Sequence, residues 1–284
     1  MYQCMKAIFQ YSVLIFLFQL RTEVTMSLAL SGSNVLITGG GRGIGRAIAR
    51  ICAEEGAHVA ICSRTKIELE KTAASITSAQ CHPMEIFETD LTKEDQVEHM
   101  VDTLVKKWGH IDVLINNAGK GQGSKSLVHT LKSKDLENIL NLNVVSVHSV
   151  TSAVLQKSMI ENRKGRIINI SSRAAKIGIP NISFYVTSKF ALEGYSAAIA
   201  EELKDYNIIV NTISPGMVDT KSFPKSPGRK GVRTAESVKD GLLAVLKTDK
   251  TGHYLHVDEL DMVRAKGLDD SNALKPINEI TFSV

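Results

Sequence analysis

The sequence predicts an α/β fold, a doubly wound parallel sheet in a single domain. Three observations carry that prediction. From Asn34 onward, apolar strand-like runs alternate with amphipathic helical stretches, the pattern of a parallel sheet covered on both faces. The first apolar run, Asn34-Val35-Leu36-Ile37-Thr38, leads into the glycine cluster Gly39-Gly40-Gly41-Arg42-Gly43-Ile44-Gly45, which runs straight into a helical pattern. The 284 residues, 43% hydrophobic and 23% charged, suffice to bury one sizeable core, and no internal repeat or second domain is visible.

The elements follow in order. The helix after the glycines, about Gly43 to Glu55, sets Ile44, Ala47, Ile48, Ile51 and Cys52 three and four residues apart, and Gly56 stops it. His58 to Cys62 reads as a second strand ending in Ser63-Arg64, and about Met84 to Thr89 as a third ending at Asp90-Leu91. Lys93 to Trp108 is a helix with Val97, Met100, Val101, Leu104 and Val105 on one face. Ile111 to Ile115 is a fourth strand running into Asn116-Asn117-Ala118-Gly119. Leu136 to Ile160 is a long helical stretch containing Asn143, and Arg166 to Ile170 a fifth strand ending in Ser171-Ser172. Phe184 to Leu203 is another long helix, and Asn207 to Ile213 a sixth strand followed by Ser214-Pro215-Gly216-Met217-Val218-Asp219-Thr220. From there to Arg233 the chain is rich in Lys, Ser, Pro and Gly, the composition of a mobile loop. Thr234 is placed to cap a helix running to about Leu246, and His253 to Val257 is a last short strand. The tail, Glu259 to Val284, has too weak a periodicity to be placed.

Residues 1–25 stand outside this pattern. Lys6 precedes an apolar run from Ala7 to Leu20, interrupted by Gln10, Ser12 and Gln19 and closed by Arg21. It falls short of the roughly 20 apolar residues that span a bilayer, and it lacks a clear small-x-small cleavage site. A membrane-associating anchor through residues 7–20, a poor signal peptide and a dispensable leader all fit. Met26-Ser27, just ahead of the domain, favours the third and a domain over 26–284. On that reading the protein is cytoplasmic; a retained leader would associate it with a membrane such as the endoplasmic reticulum.

The net charge of +4 is small, and no nucleic-acid motif accompanies it, so no nucleic-acid partner is expected. Cys4, Cys52, Cys62 and Cys81 form no CxxC pair, which reads as free thiols in a reducing compartment. The eight histidines are scattered, and no metal site is indicated.

Glycine tolerates positive φ and lets a bulky anion approach the backbone, and the following helix offers unpaired N–H groups and a positive dipole end to a phosphate. Strand, glycine turn and helix together therefore suggest a dinucleotide site; a merely structural glycine turn is the alternative. Many NAD sites hold the ribose 2′-hydroxyl with an Asp or Glu at the end of the second strand. Here Ser63 and Arg64 occupy that place, with Arg42 in the nearby turn. A carboxylate would repel a 2′-phosphate, whereas guanidinium groups bind it with paired donors, so NADP(H) is expected over NAD(H). Alternatively, both arginines are solvated surface charges.

Tyr185 and Lys189 are four residues apart and share a helix face. A phenol with a reference pKa near 10 is a poor acid or base at neutral pH, and an adjacent ammonium favours its ionised form. Alone, such a pair is usually a surface Tyr and Lys. Its surroundings give it weight: Ser172 lies thirteen residues earlier, at the end of the fifth strand.

The spacing Thr38-Gly39-x-x-x-Gly43-x-Gly45, the Asn116-Asn117-Ala118-Gly119 turn, Asn143, Ser172 and Tyr185-x-x-x-Lys189 resemble, in that order, the motifs of the short-chain dehydrogenase/reductase family. The resemblance covers roughly Asn34 to Thr220. It implies a Rossmann-type sheet and a cofactor held by Gly39, Arg42, Gly43, Ile44, Gly45, Ser63 and Arg64, with Asp90 and Leu91 near the adenine. It further implies that Asn117, Ala118 and Gly119 line the cofactor, that Asn116 helps hold the sheet together, and that Pro215, Gly216, Val218 and Thr220 cradle the nicotinamide. Tyr185 would be the general acid or base, and Ser172 would hydrogen-bond the reacting oxygen. Lys189 would lower the tyrosine pKa and bind the nicotinamide ribose, and Asn143 would steady a proton relay through water to Lys189. A homodimer or homotetramer packed through the two long helices is implied as well.

The leading expectation is an NADP(H)-dependent oxidoreductase interconverting a carbonyl and an alcohol on a small molecule. An NAD-dependent alcohol or hydroxysteroid dehydrogenase, a non-catalytic dinucleotide-binding sensor or scaffold, and a membrane-bound lipid reductase are the alternatives. A substrate loop is placed at about 217–233, where Lys221, Lys225, Arg229, Lys230 and Arg233 either attract an anionic substrate or form a solvated basic loop. Ile177, Ile179 and Phe184 either line an apolar pocket or belong to the core.

Overall fold

The structure is a computed structural model, and it describes residues 29–76, 81–220 and 230–279. The leader and most of the loop between Thr220 and Arg233 lie outside the described residues. The eight strands are β1 (Asn34–Thr38), β2 (His58–Ser63), β3 (Glu85–Glu88), β4 (Val113–Asn116), β5 (Gly165–Ile170), β6 (Ile208–Ser214), β7 (His253–His256) and β8 (Leu274–Pro276). They form one sheet in the order β3-β2-β1-β4-β5-β6-β7-β8. The first seven run parallel, and β8 closes the edge antiparallel to β7. Val35 pairs with Val59 on one side and Val113 on the other, so the strand order reverses at β1. The crevice beyond the carboxyl ends of strands at such a reversal is where open α/β sheets bind ligands.

β1 is buried at every position, which is why it reads as an unbroken apolar run. Its side chains alternate between two cores, as the strand period of two requires. Val35 and Ile37 join Ile48 and Ile51 of α1 (Gly43–Glu54) and Leu242 and Val245 of α6 (Lys239–Lys247) on one face. Leu36 joins Val101 and Leu104 of α3 (Glu94–Trp108), Val150 and Val154 of α4 (Ser133–Asn162) and Ile199 of α5 (Ser183–Glu202) on the other. The sheet is therefore wound on both faces.

Two elements escape the sequence pattern. α2 (Lys66–Ala74) buries only Leu69 and Thr72, too few to set a period, and Thr72 Oγ1 donates to the glycine-turn carbonyls of Gly40 and Gly41. The tail forms α7 (Val257–Ala265) and then β8, a strand too short to show alternation. Thr234 does not cap with its side chain; a 3₁₀ turn over Ala235–Val238 precedes α6. α4 contains π-helical turns at Asn141–Val145 and Leu155–Met159, each of which shifts the buried face and blurs a 3.6-residue reading. By length and composition α4 is the one described helix sufficient to cross a membrane, yet its Val150, Val154 and Met159 are wholly buried in this core. Among the described cysteines Cys52, Cys62 and Cys81 are free, and no group of three or more His, Cys, Asp or Glu in the described residues is arranged to hold a metal.

Candidate active site

The glycine turn leaves β1 with the N–H groups of Gly39 and Gly40 donating to Cys62 O. Gly39 and Gly43 have φ of +69° and +53°, where a Cβ is strained. A Cβ on Gly45 would lie 2.1 Å from Gly39 O, so helix and turn touch backbone to backbone. Arg42 starts α1 without a side-chain cap, and the first turn holds no acidic residue. The N–H groups and dipole end of such a helix start can hold an anion.

β4 is tied to this turn through one residue that sequence reasoning missed as a site residue. Thr38 Oγ1 accepts from the N–H groups of Asn117 and Ala118, both at 3.0 Å, while Asn117 Nδ2 donates to Thr38 O and Gly39 O. Gly119 faces Asn143 Oδ1, which would be 3.3 Å from a Cβ there. Asn116 Nδ2 donates to Thr151 Oγ1 and Asn169 Oδ1, joining β4 to α4 and β5.

At the end of β2, Ser63 Oγ is 3.2 Å from where a Cβ on Gly41 would sit. Arg42 Nη1 is 3.4 Å from Glu68 Oε1, a carboxylate that sequence reasoning did not place here. Arg64 is exposed. Partial burial of Asp90 opposes its ionisation, but hydrogen bonds from Thr92 and the charges of Arg64 and Lys93 outweigh it and hold the carboxyl below its usual range. Leu91 is buried in the α3-side core, and Ile44 is half-buried against the opposite one.

Ser172, Tyr185 and Lys189 converge beyond β5. Ser172 Oγ accepts from Ala174 N at 3.1 Å, capping a 3₁₀ turn that holds the hydroxyl in place. Lys189 is buried; its Nζ donates to Ile170 O at 2.8 Å and lies 5.8 Å from the centre of the Tyr185 ring. Burial pushes Lys189 down to about 8, against the opposing charge of Glu193. Burial also pushes Tyr185 above its usual value, opposed by a hydrogen bond with Ser172. The expected lowering of the tyrosine pKa by Lys189 is therefore not what dominates here; desolvation is. Glu193, a turn beyond Lys189, is itself raised by burial; it accepts from Thr212 Oγ1 and sits 3.5 Å from Lys176 Nζ. Its spacing from Tyr185 and Lys189 was visible in the sequence, but its burial was not.

Asn143 lies on the first π turn of α4 and is buried. Its Oδ1 accepts from Lys120 N, and its Nδ2 donates to Lys120 O and to Ser188 Oγ, whose hydroxyl donates to Tyr185 O. It is thus joined to the helix of Tyr185 through Ser188 and to the chain after Gly119 through Lys120.

After β6 the chain passes buried Pro215, turns at Gly216 with φ of +74°, and buries Val218. Thr220 Cγ2 lies 3.2 Å from where a Cβ on Gly43 would be, so this segment returns over the glycine turn. Ile177, Ile179 and Phe184 are half-buried and belong to neither core. Lys230 is exposed, and Lys221, Lys225 and Arg229 lie outside the described residues. Arg233 does not face a substrate as a free charge, because it is paired with Asp258 and Asp261.

The glycine cradle, the open helix end and the polar groups beyond β5 fit a dinucleotide. The family model for short chain dehydrogenases matches residues 33–229. Over 195 residues the chain is 34% identical to the 3-oxoacyl-[acyl-carrier-protein] reductase FabG of Chlamydia trachomatis serovar D, across 69% of this chain and 77% of that one. Among solved structures, ElxO with NADP bound matches with a TM-score of 0.72 and 31% identity, covering 80% of this chain and 97% of its own. An NAD+-bound xylitol dehydrogenase also matches with a TM-score of 0.72 and 31% identity, covering 80% of this chain and 98% of its own.

Proposed function

The chain belongs to the short-chain dehydrogenase/reductase family of oxidoreductases, and on that premise we propose that it is an NADP(H)-dependent enzyme interconverting a carbonyl and an alcohol. The observation that carries this reading is the convergence of Ser172, Tyr185 and Lys189 beyond the carboxyl end of β5. When bound, the nicotinamide supplies the hydride. The Tyr185 hydroxyl gives a proton to the substrate oxygen in reduction and takes it back in oxidation. Ser172, fixed by its bond from Ala174 N, holds that oxygen within reach of the phenol. Lys189, anchored on Ile170 O, is near enough to steady negative charge on Tyr185 as the proton leaves and to bond the nicotinamide ribose. Asn143 keeps the start of α5 against the chain after Gly119, and so sets where Tyr185 stands.

NADP(H) is favoured because β2 ends in Ser63 and Arg64 instead of a carboxylate, with Arg42 in the turn. The Arg42–Glu68 pair is partly exposed and weak, so a 2′-phosphate can displace Glu68 from the guanidinium. Glu68 is also the observation that favours NAD(H), since a carboxylate beside Gly41 could accept from a free ribose hydroxyl. The half-buried Ile177, Ile179 and Phe184 suit an apolar carbonyl substrate. The exposed Val145 of α4 and Phe190 of α5 offer apolar contacts for pairing two copies through these helices.

The test is fluorescence titration of the full chain with NADPH and with NADH, then turnover of ketones, aldehydes and quinones followed by absorbance. NADPH binding tighter than NADH, with turnover of a carbonyl, is expected. Binding of neither would overturn the reading, and binding without turnover of any carbonyl would favour a non-catalytic dinucleotide sensor.

A further inference from the structure

We propose that Arg233 is a positioning residue for the nicotinamide half of the dinucleotide, acting through the backbone of residues 216–219; this rests on the dinucleotide reading above. The segment after β6 turns at Gly216 and has one regular backbone partner among the described residues, a parallel bridge between Val218 and Arg233. Arg233 N donates to Met217 O at 2.8 Å, and Asp219 N donates to Arg233 O at 2.9 Å. The main chain of Arg233 thus grips the segment on both sides of Val218, whose side chain is buried.

The guanidinium is fixed in turn. Nε donates to Asp258 Oδ1 at 2.8 Å, and Nη2 lies 2.6 Å from Asp258 Oδ1 and 2.5 Å from Asp261 Oδ2. Asp258 and Asp261 are three residues apart near the start of α7 and present one face to the arginine. That helix start is capped by His256, whose Nδ1 accepts from Asp258 N, and the helix is seated on the sheet by buried Val257 and Leu260. Arg233 therefore joins the turn after β6 to an element seated on the core.

The clamp sits against the turn it would hold. A Cβ on Gly216 would lie 3.4 Å from Asp258 Oδ1 and 3.8 Å from Arg233 Nε. On its other side the same segment brings Thr220 against Gly43. Releasing Arg233 would let residues 216–219 shift relative to the glycine turn, altering the space between the phosphate end and the nicotinamide end. The adenine end, formed by β2 and the β3–α3 turn, is remote from it in the sheet order.

That separation supplies the test. The full chain and its Arg233→Met and Arg233→Lys variants are titrated with NADPH and with adenosine 2′,5′-bisphosphate, which carries the adenine and 2′-phosphate but no nicotinamide. Arg233→Met is expected to weaken NADPH about tenfold while leaving the bisphosphate within about twofold, and Arg233→Lys to recover part of the loss. Asp261→Asn removes half of the clamp at a more exposed residue; it is expected to act in the same direction with a smaller effect, and it covers the case in which Arg233→Met fails to fold. Unchanged NADPH affinity, or equal weakening of both ligands, would overturn the proposal while leaving the dinucleotide reading intact. A wild-type chain that binds neither ligand would overturn both.

Discussion

Replacing Gly45 by alanine adds one methyl group where the structure has no room. That carbon would sit 2.1 Å from Gly39 O, 2.5 Å from Asn117 Nδ2 and 2.8 Å from Gly39 C. Two of these are backbone atoms of the turn itself, so no rotamer change relieves the clash; either α1 moves away from the turn or the turn opens. Asn117 Nδ2 is the donor that ties β4 to the carbonyls of Thr38 and Gly39, so opening the turn also loosens that tie. Overpacking of a buried site costs about 1–3 kcal/mol, and a backbone contact this short belongs at the upper end. About 3 kcal/mol corresponds to a fall in Tm of about 6–12 °C for a chain of this size. Urea and thermal unfolding measure the stability, and NADPH fluorescence measures the site. Gly121→Ala is the control, because no atom lies within 4 Å of its added Cβ, and it should leave both unchanged. A Gly45→Ala protein with wild-type Tm and wild-type NADPH affinity would refute the close-approach reasoning and the cradle built on it.

Tyr185→Phe should keep NADPH affinity and lower turnover about 10²–10⁴-fold, the usual worth of a positioned proton donor; near-normal turnover would remove Tyr185 from the chemistry. Arg64→Asp should weaken NADPH about tenfold while sparing NADH, since it places a carboxylate where the 2′-phosphate is expected; equal weakening would remove the 2′-phosphate assignment. Lys189 is buried and held near 8, below its unfolded value of 10.5. Below pH 8 both states carry the proton and the folded state bears the burial penalty. Between about 8 and 10.5 the unfolded state binds more protons, so this group's contribution to stability rises with pH. Relative to wild type, Lys189→Met should therefore be more stable against unfolding at pH 7 than at pH 10, by up to about 3 kcal/mol. A difference independent of pH would mean that Lys189 titrates normally.

What could be read along the chain was what neighbouring residues encode. The strand, glycines and helix from Asn34 to Glu54 are contiguous, and their turn needs glycine at Gly39 and Gly43 because φ is positive there. Tyr185 and Lys189 fall one helical turn apart by spacing alone. α2 was unreadable because two buried residues make no period, and the π turns of α4 break the period that would have bounded it. β8 is recognisable only once β7 lies beside it.

The doubly wound α/β class and the order of most strands and helices were legible along the chain, because periodicity and turn propensity are local properties; the candidate catalytic side chains were named by the resemblance their motifs carry. Contacts between distant segments set the rest: Thr38 reaches Asn117 across 79 residues, Glu193 is buried near Lys189, and Arg233 is paired with Asp258 and Asp261. The same contacts bury Tyr185 enough to raise its pKa against the hydrogen bond with Ser172. These depend on which distant segments meet and on how much water they exclude, and neither quantity is written in the order of neighbouring residues.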